Sequence, residues 1–397
     1  MARVLIVGAG IAGDALALML ERDGWQVTVA EIAPGLRSGG QAVDLRGDCR
    51  EVLAELGLLD QALACLLRQD GAAWVDSRGR RLAEMPVTAF GGAGYVSDEE
   101  LLRADLARLL HDAAGPAVTH RFGDTVESLV DRDNTVLARF RAGDEQEFDL
   151  VVGADGAHSR VRALRFGPEA EHRRPTGLAQ AWFTLPETPD TPPVDHWFLT
   201  HNAPGRLAVA ARPGHPGTQE IGLMFPATSL PPRHDREAQF ALLDRVFATT
   251  GWRTREFLAA AREADDFALD TFDQIHLPAW HTGRVVLLGD SAWCASPLSG
   301  LGTALALRGA AALATALRHH DIPEALPAFE TAMRPRVTAA QKMFPGRVAM
   351  AAPKTALGIR FTTWVLRAVQ SRPLSPVLAW LAKDAAEAQG GKAPARV

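Results

Sequence analysis

Three glycines and a carboxylate are the first residues in this chain whose spacing could do chemistry. Residues 4–20, VLIVGAGIAGDALALML, place Gly8, Gly10 and Gly13 as Gly-x-Gly-x-x-Gly, and Glu31 follows 23 residues after Gly8. An apolar strand precedes the glycines and helical spacing follows them, which is the setting that gives the pattern meaning. Such glycines let backbone approach a pyrophosphate. The free N–H groups of the helix start, at Ile11 and Ala12, face it with partial positive charge. Glu31, ending the second strand, can accept hydrogen bonds from an adenosine ribose and repels a 2′-phosphate there. FAD or NAD is expected rather than NADP.

A second corner of this kind lies 280 residues on. In LLGDSAWCASPLSGLGTALALRGA, residues 287–310, an apolar strand runs into Asp290, a loop with Pro297, then Gly300, Leu301 and Gly302 at the start of an Ala/Leu-rich helix. A NAD dehydrogenase needs no such element, whereas FAD is long enough to require one at its isoalloxazine end. Asp290 could accept from a ribityl hydroxyl. Pro297 could shape the loop, and the helix start could stabilise the negative edge of a reduced flavin.

With these motifs the chain resembles the FAD-dependent class A aromatic hydroxylases of the para-hydroxybenzoate hydroxylase fold. Within them it is most similar to tetracycline-inactivating and polyketide-tailoring monooxygenases. DLVVGADGAHSRVR, with Asp155 and Gly156, is similar to the family's Asp-Gly motif. The resemblance implies cofactor contacts at Gln41, Asp44 and Arg46 in GGQAVDLRG, at Arg103, and at the backbone of Val126 beside adenine. It also implies reduction of FAD by NADPH or NADH, a flavin C4a-hydroperoxide formed with O2, and oxygen transfer to a hydrophobic aromatic, polycyclic or polyketide-like molecule. Two residues depart from the pattern. Trp293 stands where a histidine is usual and Leu301 where a glutamine is common; core packing is the plainer reading of Trp293. No second framed Gly-x-Gly-x-x-Gly exists for the nicotinamide cofactor, and GGAG at 91–94 lacks the framing. Arg46, Arg160 and Arg162 are either phosphate partners or solvated arginines. His158 and His196 read as isolated, so no catalytic acid or base and no metal site is assigned. The alternative reading is a flavoprotein whose FAD is structural and whose cavity catalyses a non-redox cyclisation.

The elements that must position these residues follow from periodicity. A βαβ unit opens the chain, and SDEELLRADLARLLHDAAG reads as a helix capped by Ser97 with Glu100 three residues on. Three strand-like segments between Ala117 and Gly153 read as an antiparallel meander. From about Arg173 to Asp273, short aromatic strands alternate with Pro/Gly loops, with a helix near Arg236–Thr249. The expected class is α/β: a discontinuous Rossmann-like FAD-binding domain (1–72, 98–172 and 277–350), a β-rich substrate domain (73–97 and 173–276), and C-terminal helices with a tail (351–397). Alternation puts Gln180 and Trp182 on one strand face and Ala181 and Phe183 on the other. His196 and Phe198 pair similarly in DHWFLT. Either face could line the substrate cavity; Gln180, Trp182, His196 and Phe198 form the candidate substrate-binding set.

Composition limits the partners. The net charge of −5 over 397 residues, with arginines dispersed among acids, argues against a nucleic-acid binder. Three cysteines without Cys-x-x-Cys spacing argue against a disulfide framework, a zinc–thiolate site or a dithiol reductase. No apolar run is long enough to span a membrane. Trp364, Leu366, Leu378 and Trp380 form an apolar stripe in the C-terminal helices, expected to pack on the FAD domain. A cytoplasmic monomer or weak dimer is expected.

Overall fold

A computed structural model describes residues 1–37, 39–89, 95–342 and 346–369. GGAG at 91–94, Leu378, Trp380 and the final tail lie outside the described residues. The chain begins with β1 (Arg3–Val7), α1 (Ile11–Arg22) and β2 (Gln26–Glu31), then β3 (Ala42–Asp44), α2 (Asp48–Glu55) and α3 (Leu59–Ala64). It continues through β4 (Gly71–Val75), β5 (Arg81–Pro86), β6 (Glu100–Leu102), α4 (Arg103–Ala114), β7 (Thr119–Phe122), β8 (Val126–Asp131), β9 (Val136–Phe140), β10 (Glu145–Phe148) and β11 (Leu150–Gly153). Next come α5 (Arg160–Arg165), α6 (Glu169–His172), β12 (Arg173–Pro186), β13 (Trp197–Ala203), β14 (Leu207–Pro213) and β15 (Thr218–Pro226). The last elements are α7 (Arg236–Phe247), α8 (Thr254–Glu263), β16 (Ala268–Ile275), β17 (His281–Thr282), β18 (Val285–Leu287), α9 (Asp290–Trp293), α10 (Gly302–His319), α11 (Ile322–Gln341), α12 (Arg347–Ala351) and α13 (Ala356–Val369).

Two large sheets organise these elements. The first, ordered β17-β18-β11-β1-β2-β7, is parallel except for the edge strand β17. Its central strands are continuous apolar runs buried on both faces, as a sheet sandwiched between layers requires. The second sheet, β16-β12-β15-β14-β13-β4-β5, is antiparallel except where β13 and β4 run parallel. So β4 and β5 join a sheet built mainly from residues 173–275. Two small sheets, β10-β9-β8 and β3-β6, complete the set.

Four local expectations change. Ser97 and Glu100 form one of the two bonds of a capping box: the Ser97 N–H donates to Glu100 Oε1 at 2.9 Å, while Ser97 Oγ accepts from Glu99 N–H at 3.0 Å. That turn leads into β6, however, because Glu100–Leu102 pairs with β3, and the helix starts only at Arg103. The segment β7 leaves the meander to extend the parallel sheet beside β2. The helical region near 236–249 is followed by a second helix, α8. Finally, α13 rests against β5 and β13 of the second sheet rather than against the parallel sheet. No helix among the described residues is long and apolar enough to cross a membrane.

An ion cluster joins the two sheets, and it overturns the reading of His158 as isolated. Its Nδ1 faces Glu169 at 3.1 Å and its Nε2 faces Asp270 of β16 at 3.0 Å. The hydrogen bonds to Asp270 and Glu169 raise its pKa to about 9. A folded-state pKa above the unfolded value of about 6.5 means the contribution is complete below pH 6.5 and is lost as pH rises through 9. His158→Gln should therefore lower Tm at pH 6 and make little difference above pH 9.5. A Tm deficit equal at both pH values would show that the imidazolium charge contributes nothing.

Candidate functional site

Parallel pairing brings the carboxyl ends of β1, β11 and β18 side by side, and each carries one of the three motifs. The turns after them are in contact. Gly8 has φ +111°, and a Cβ there would stand 2.5 Å from the Ala154 carbonyl oxygen of the Asp-Gly segment. A Cβ on Gly13 would stand 1.9 Å from the Gly8 oxygen, so α1 closes directly onto its own turn. At the Gly-Asp corner, Gly289 has φ +67° and a Cβ there would meet the Ala12 Cβ at 3.0 Å. Ser291 Oγ donates to the Gly153 carbonyl at 2.8 Å. Glycine is required here by backbone-to-backbone approach as well as by conformation.

Several candidate residues line one groove along this edge. Glu31 accepts from Ala9 N–H at 3.0 Å and Ala33 N–H at 2.9 Å, which fixes its carboxylate at the end of β2. A Cβ on Gly10 would lie 3.6 Å from Arg103 Nη2, so the Arg103 guanidinium hangs over the opening of α1. No side-chain hydrogen bond to Arg103 is found among the described residues. Burial depresses its pKa, Arg37 depresses it further, and Asp290 and Glu31 pull the other way. Asp290 is reached by solvent yet ringed by protein. That desolvation raises its pKa against the opposing field of Arg103. Beyond Asp290, Ser296 (φ +72°) turns the chain into Pro297, and Gly300 follows in the left-handed region. A Cβ on Gly300 or Gly302 would meet no protein atom within 4 Å. The groove thus runs from an anchored carboxylate, past a helix N-terminus under a cation, to a glycine-lined opening at the start of α10.

Other candidates take a different place. Asp155 accepts from Ser159 Oγ, from Arg160 N–H at 2.7 Å and from Val161 N–H at 3.1 Å, so its carboxylate is committed to the start of α5. Burial nonetheless raises its pKa. Arg46 folds back onto Asp44, donating through Nε at 2.8 Å. The Gln41 carbonyl accepts from Arg103 N–H at 3.1 Å. Val126 is buried and its carbonyl accepts from Arg160 Nε. Arg162 is no phosphate partner. It is fully buried and donates to the Ser291 carbonyl at 2.9 Å, tying the Asp-Gly segment to α9. Trp293 is core, packed against Trp280 at 4.5 Å between ring centroids.

Burial decides between the two faces of the second sheet. Ala181, Phe183, Val209, Ile221 and Phe225 form a core with α7 and α8. The opposite face carries Gln180, Trp182, Phe198, Ala210, Arg212 and Met224, with Gly222 beside Trp182 in register. Trp182 stacks on Phe272 at 5.7 Å, in a cluster with Met224, Leu298 of the loop after α9 and Val348 of α12. This places Gln180, Trp182 and Phe198 on one surface next to the Gly-Asp corner. His196 does not join them. It precedes β13 in a turn with φ +61°, is exposed, and contributes only its carbonyl, to Asp70 N–H at 2.8 Å.

Sequence reasoning missed the polar end of this surface. Arg212 pairs with Glu100 and donates to Gln69 Oε1 at 2.8 Å. Tyr95, the only tyrosine in the chain, stacks on Phe198 at 5.7 Å. Glu220, the cross-strand neighbour of Arg212, is buried, and desolvation pushes its pKa up to about 7. The alternation Ala208, Ala210, Arg212 along β14 was the available signal for part of this cluster.

A parallel sheet whose motif-bearing ends form a groove, beside an antiparallel sheet that presents an aromatic face to it, defines a dinucleotide-binding flavoprotein. The chain matches the FAD binding domain family over residues 1–342 and belongs to it, among the class A flavin-dependent monooxygenases. It is 31% identical to the FAD-dependent monooxygenase asL4 of Sarocladium schorii over 412 residues, covering 96% of each chain. It is 41% identical over 320 residues to an uncharacterized protein of Mycobacterium tuberculosis, covering 80% of this chain and 85% of that one. The tetracycline destructase Tet(51) superposes with a TM-score of 0.78 at 28% identity, covering 100% of this chain and 99% of that one.

Gly302 has ordinary backbone angles, so Gly302→Val tests the opening without added strain. The variant should fold with a near-native Tm for the flavin-free chain and retain less than about a tenth of the wild-type flavin, a loss of more than about 1.4 kcal/mol of binding. Wild-type flavin content would show that this opening faces only solvent.

Proposed function

We propose that this protein is an NAD(P)H-dependent monooxygenase that holds FAD along the groove from Glu31 to Gly302 and transfers one oxygen atom from O2 to a polycyclic, polyketide-like substrate on the Trp182 face. The observation that carries the reading is the convergence of Glu31, the start of α1, Arg103, Asp290 and the start of α10 on one groove edge. An anchored carboxylate suits the adenosine ribose. A helix N-terminus beneath Arg103 suits the pyrophosphate, because both contribute positive charge where phosphate is negative. Asp290 suits the ribityl hydroxyls, and the open space over Gly300 and Gly302 suits a flat ring system. When bound and reduced, FAD supplies oxygen activation.

The chain's own residues then have separate tasks. Leu298, Trp182 and Phe272 exclude water from the space beside the Gly-Asp corner. Trp182 Nε1 and Asn202 Oδ1 are buried without a hydrogen-bond partner among the described residues. Buried polar atoms left unpaired cost about 1–3 kcal/mol each. A ligand that offers an acceptor to the indole and a donor to the amide offsets that cost. Such a substrate carries both carbonyl and hydroxyl groups on a flat apolar frame, as oxygenated polyketides do, and the likeness to a tetracycline destructase supports this class. The division into a FAD-binding part and a substrate part follows the two large sheets.

The test combines reduction with isotope transfer. NADPH or NADH should bleach the oxidised flavin band without oxygen, and faster in the presence of an accepted substrate. A panel of oxygenated polycyclic compounds turned over under 18O2 should yield a product carrying one labelled oxygen. Turnover that continues without NAD(P)H or oxygen would reject the oxygenase and favour the cyclase.

A further inference from the structure

Away from the groove face of α1 is a cluster that FAD chemistry does not use. Asp14, one residue past the third motif glycine, is fully buried. Its Oδ1 lies 3.4 Å from Nε2 of His120 on β7. Its Oδ2 has no partner among the described residues, and neither does the buried Nδ1 of His111 on α4. The two imidazoles meet edge to face at 4.2 Å, and Phe122 stacks on His120 at 5.8 Å, which limits their rotation. One ligand atom from each of Asp14, His111 and His120 lies within 4.8 Å of the others.

A hydrogen bond between Asp14 and His120 accounts for only half of this cluster. It leaves a carboxylate oxygen and an imidazole nitrogen buried and unpaired, each desolvated without a compensating bond. One carboxylate and two imidazoles match the ligand preference of first-row divalent ions. Two ligand atoms each about 2.1 Å from a tetrahedral ion stand about 3.4 Å apart, the separation of Asp14 Oδ1 and His120 Nε2.

We propose that Asp14, His111 and His120 form a structural divalent-metal site, best fitted to zinc with water as the fourth ligand, that clips α1 to α4 and β7. The ion gives the unpaired His111 nitrogen a partner and joins it to the Asp14–His120 pair. By fixing α1 against its neighbours it steadies the helix whose N-terminus opens the groove.

The FAD-loaded full chain, stripped with chelator and dialysed, is titrated with Zn2+ by calorimetry, alongside Asp14→Asn, His111→Gln and His120→Gln. One equivalent should bind to the wild type. Each substitution should weaken binding by more than about tenfold, the smallest loss expected even from an outer-sphere partner. No saturable binding to the wild type would overturn the proposal. So would a site untouched by all three changes but lost in His319→Gln/His320→Gln at the end of α10. Because a core variant could fail to fold, zinc-edge X-ray absorption of the wild type gives a second reading. Two imidazoles in an N/O shell support the site; a shell containing sulfur or lacking imidazole overturns it.

Discussion

Backbone packed against backbone at the ends of β1, β11 and β18 is the constraint on which the rest depends. Gly8 lies against the Ala154 carbonyl, Gly13 against Gly8, and Gly289 against Ala12. Any side chain at these points would separate the three turns. Because the strands are parallel neighbours, their ends fall on one edge whatever the sequence distance between them. That is how residues 8, 155 and 290 come to stand at one edge. Buried bonds then lock the arrangement: Ser291 to Gly153, and Arg162 to the Ser291 carbonyl.

Charge placement follows from that edge. Arg103 reaches the groove because β3 and β6 pair just before α4, and its backbone N–H is held by the Gln41 carbonyl. Its guanidinium feels the carboxylates of Glu31 and Asp290 and makes no side-chain hydrogen bond among the described residues. The second sheet is brought to the same edge by Leu298 and by the His158 cluster, so the loop after α9 and the aromatic face lie together.

Much of this was legible in the sequence, because glycines at turns and apolar runs before them report local geometry directly. The parallel sheet, the inserted antiparallel strands and the two glycine-rich corners are all of that kind. What could not be read depended on contacts distant in sequence. Alternation separated Trp182 from Phe183 but could not say which faced the cavity until α7 and α8 covered one side; α8 itself was not read. Ser97 and Glu100 form half of a capping box, yet strand pairing with β3 takes the residues that follow. His196 lost its alternation partner because the strand begins one residue later. Arg162 read as a phosphate partner or a solvated arginine and His158 as an isolated histidine, and only the tertiary fold shows one buried and the other bridging two acids. Tyr95 and Arg212 carried no local signal that joined them.

The central claim is that three separated motifs jointly grip a molecule as long as FAD, and the identity and amount of released chromophore test it most directly. Purified protein, reconstituted with excess flavin and desalted, is denatured and the supernatant chromatographed. The account predicts about one FAD per chain, released without covalent attachment. Release of FMN, or of no flavin, would contradict it, since FMN lacks the adenosine and second phosphate that the first corner and Glu31 are arranged to hold.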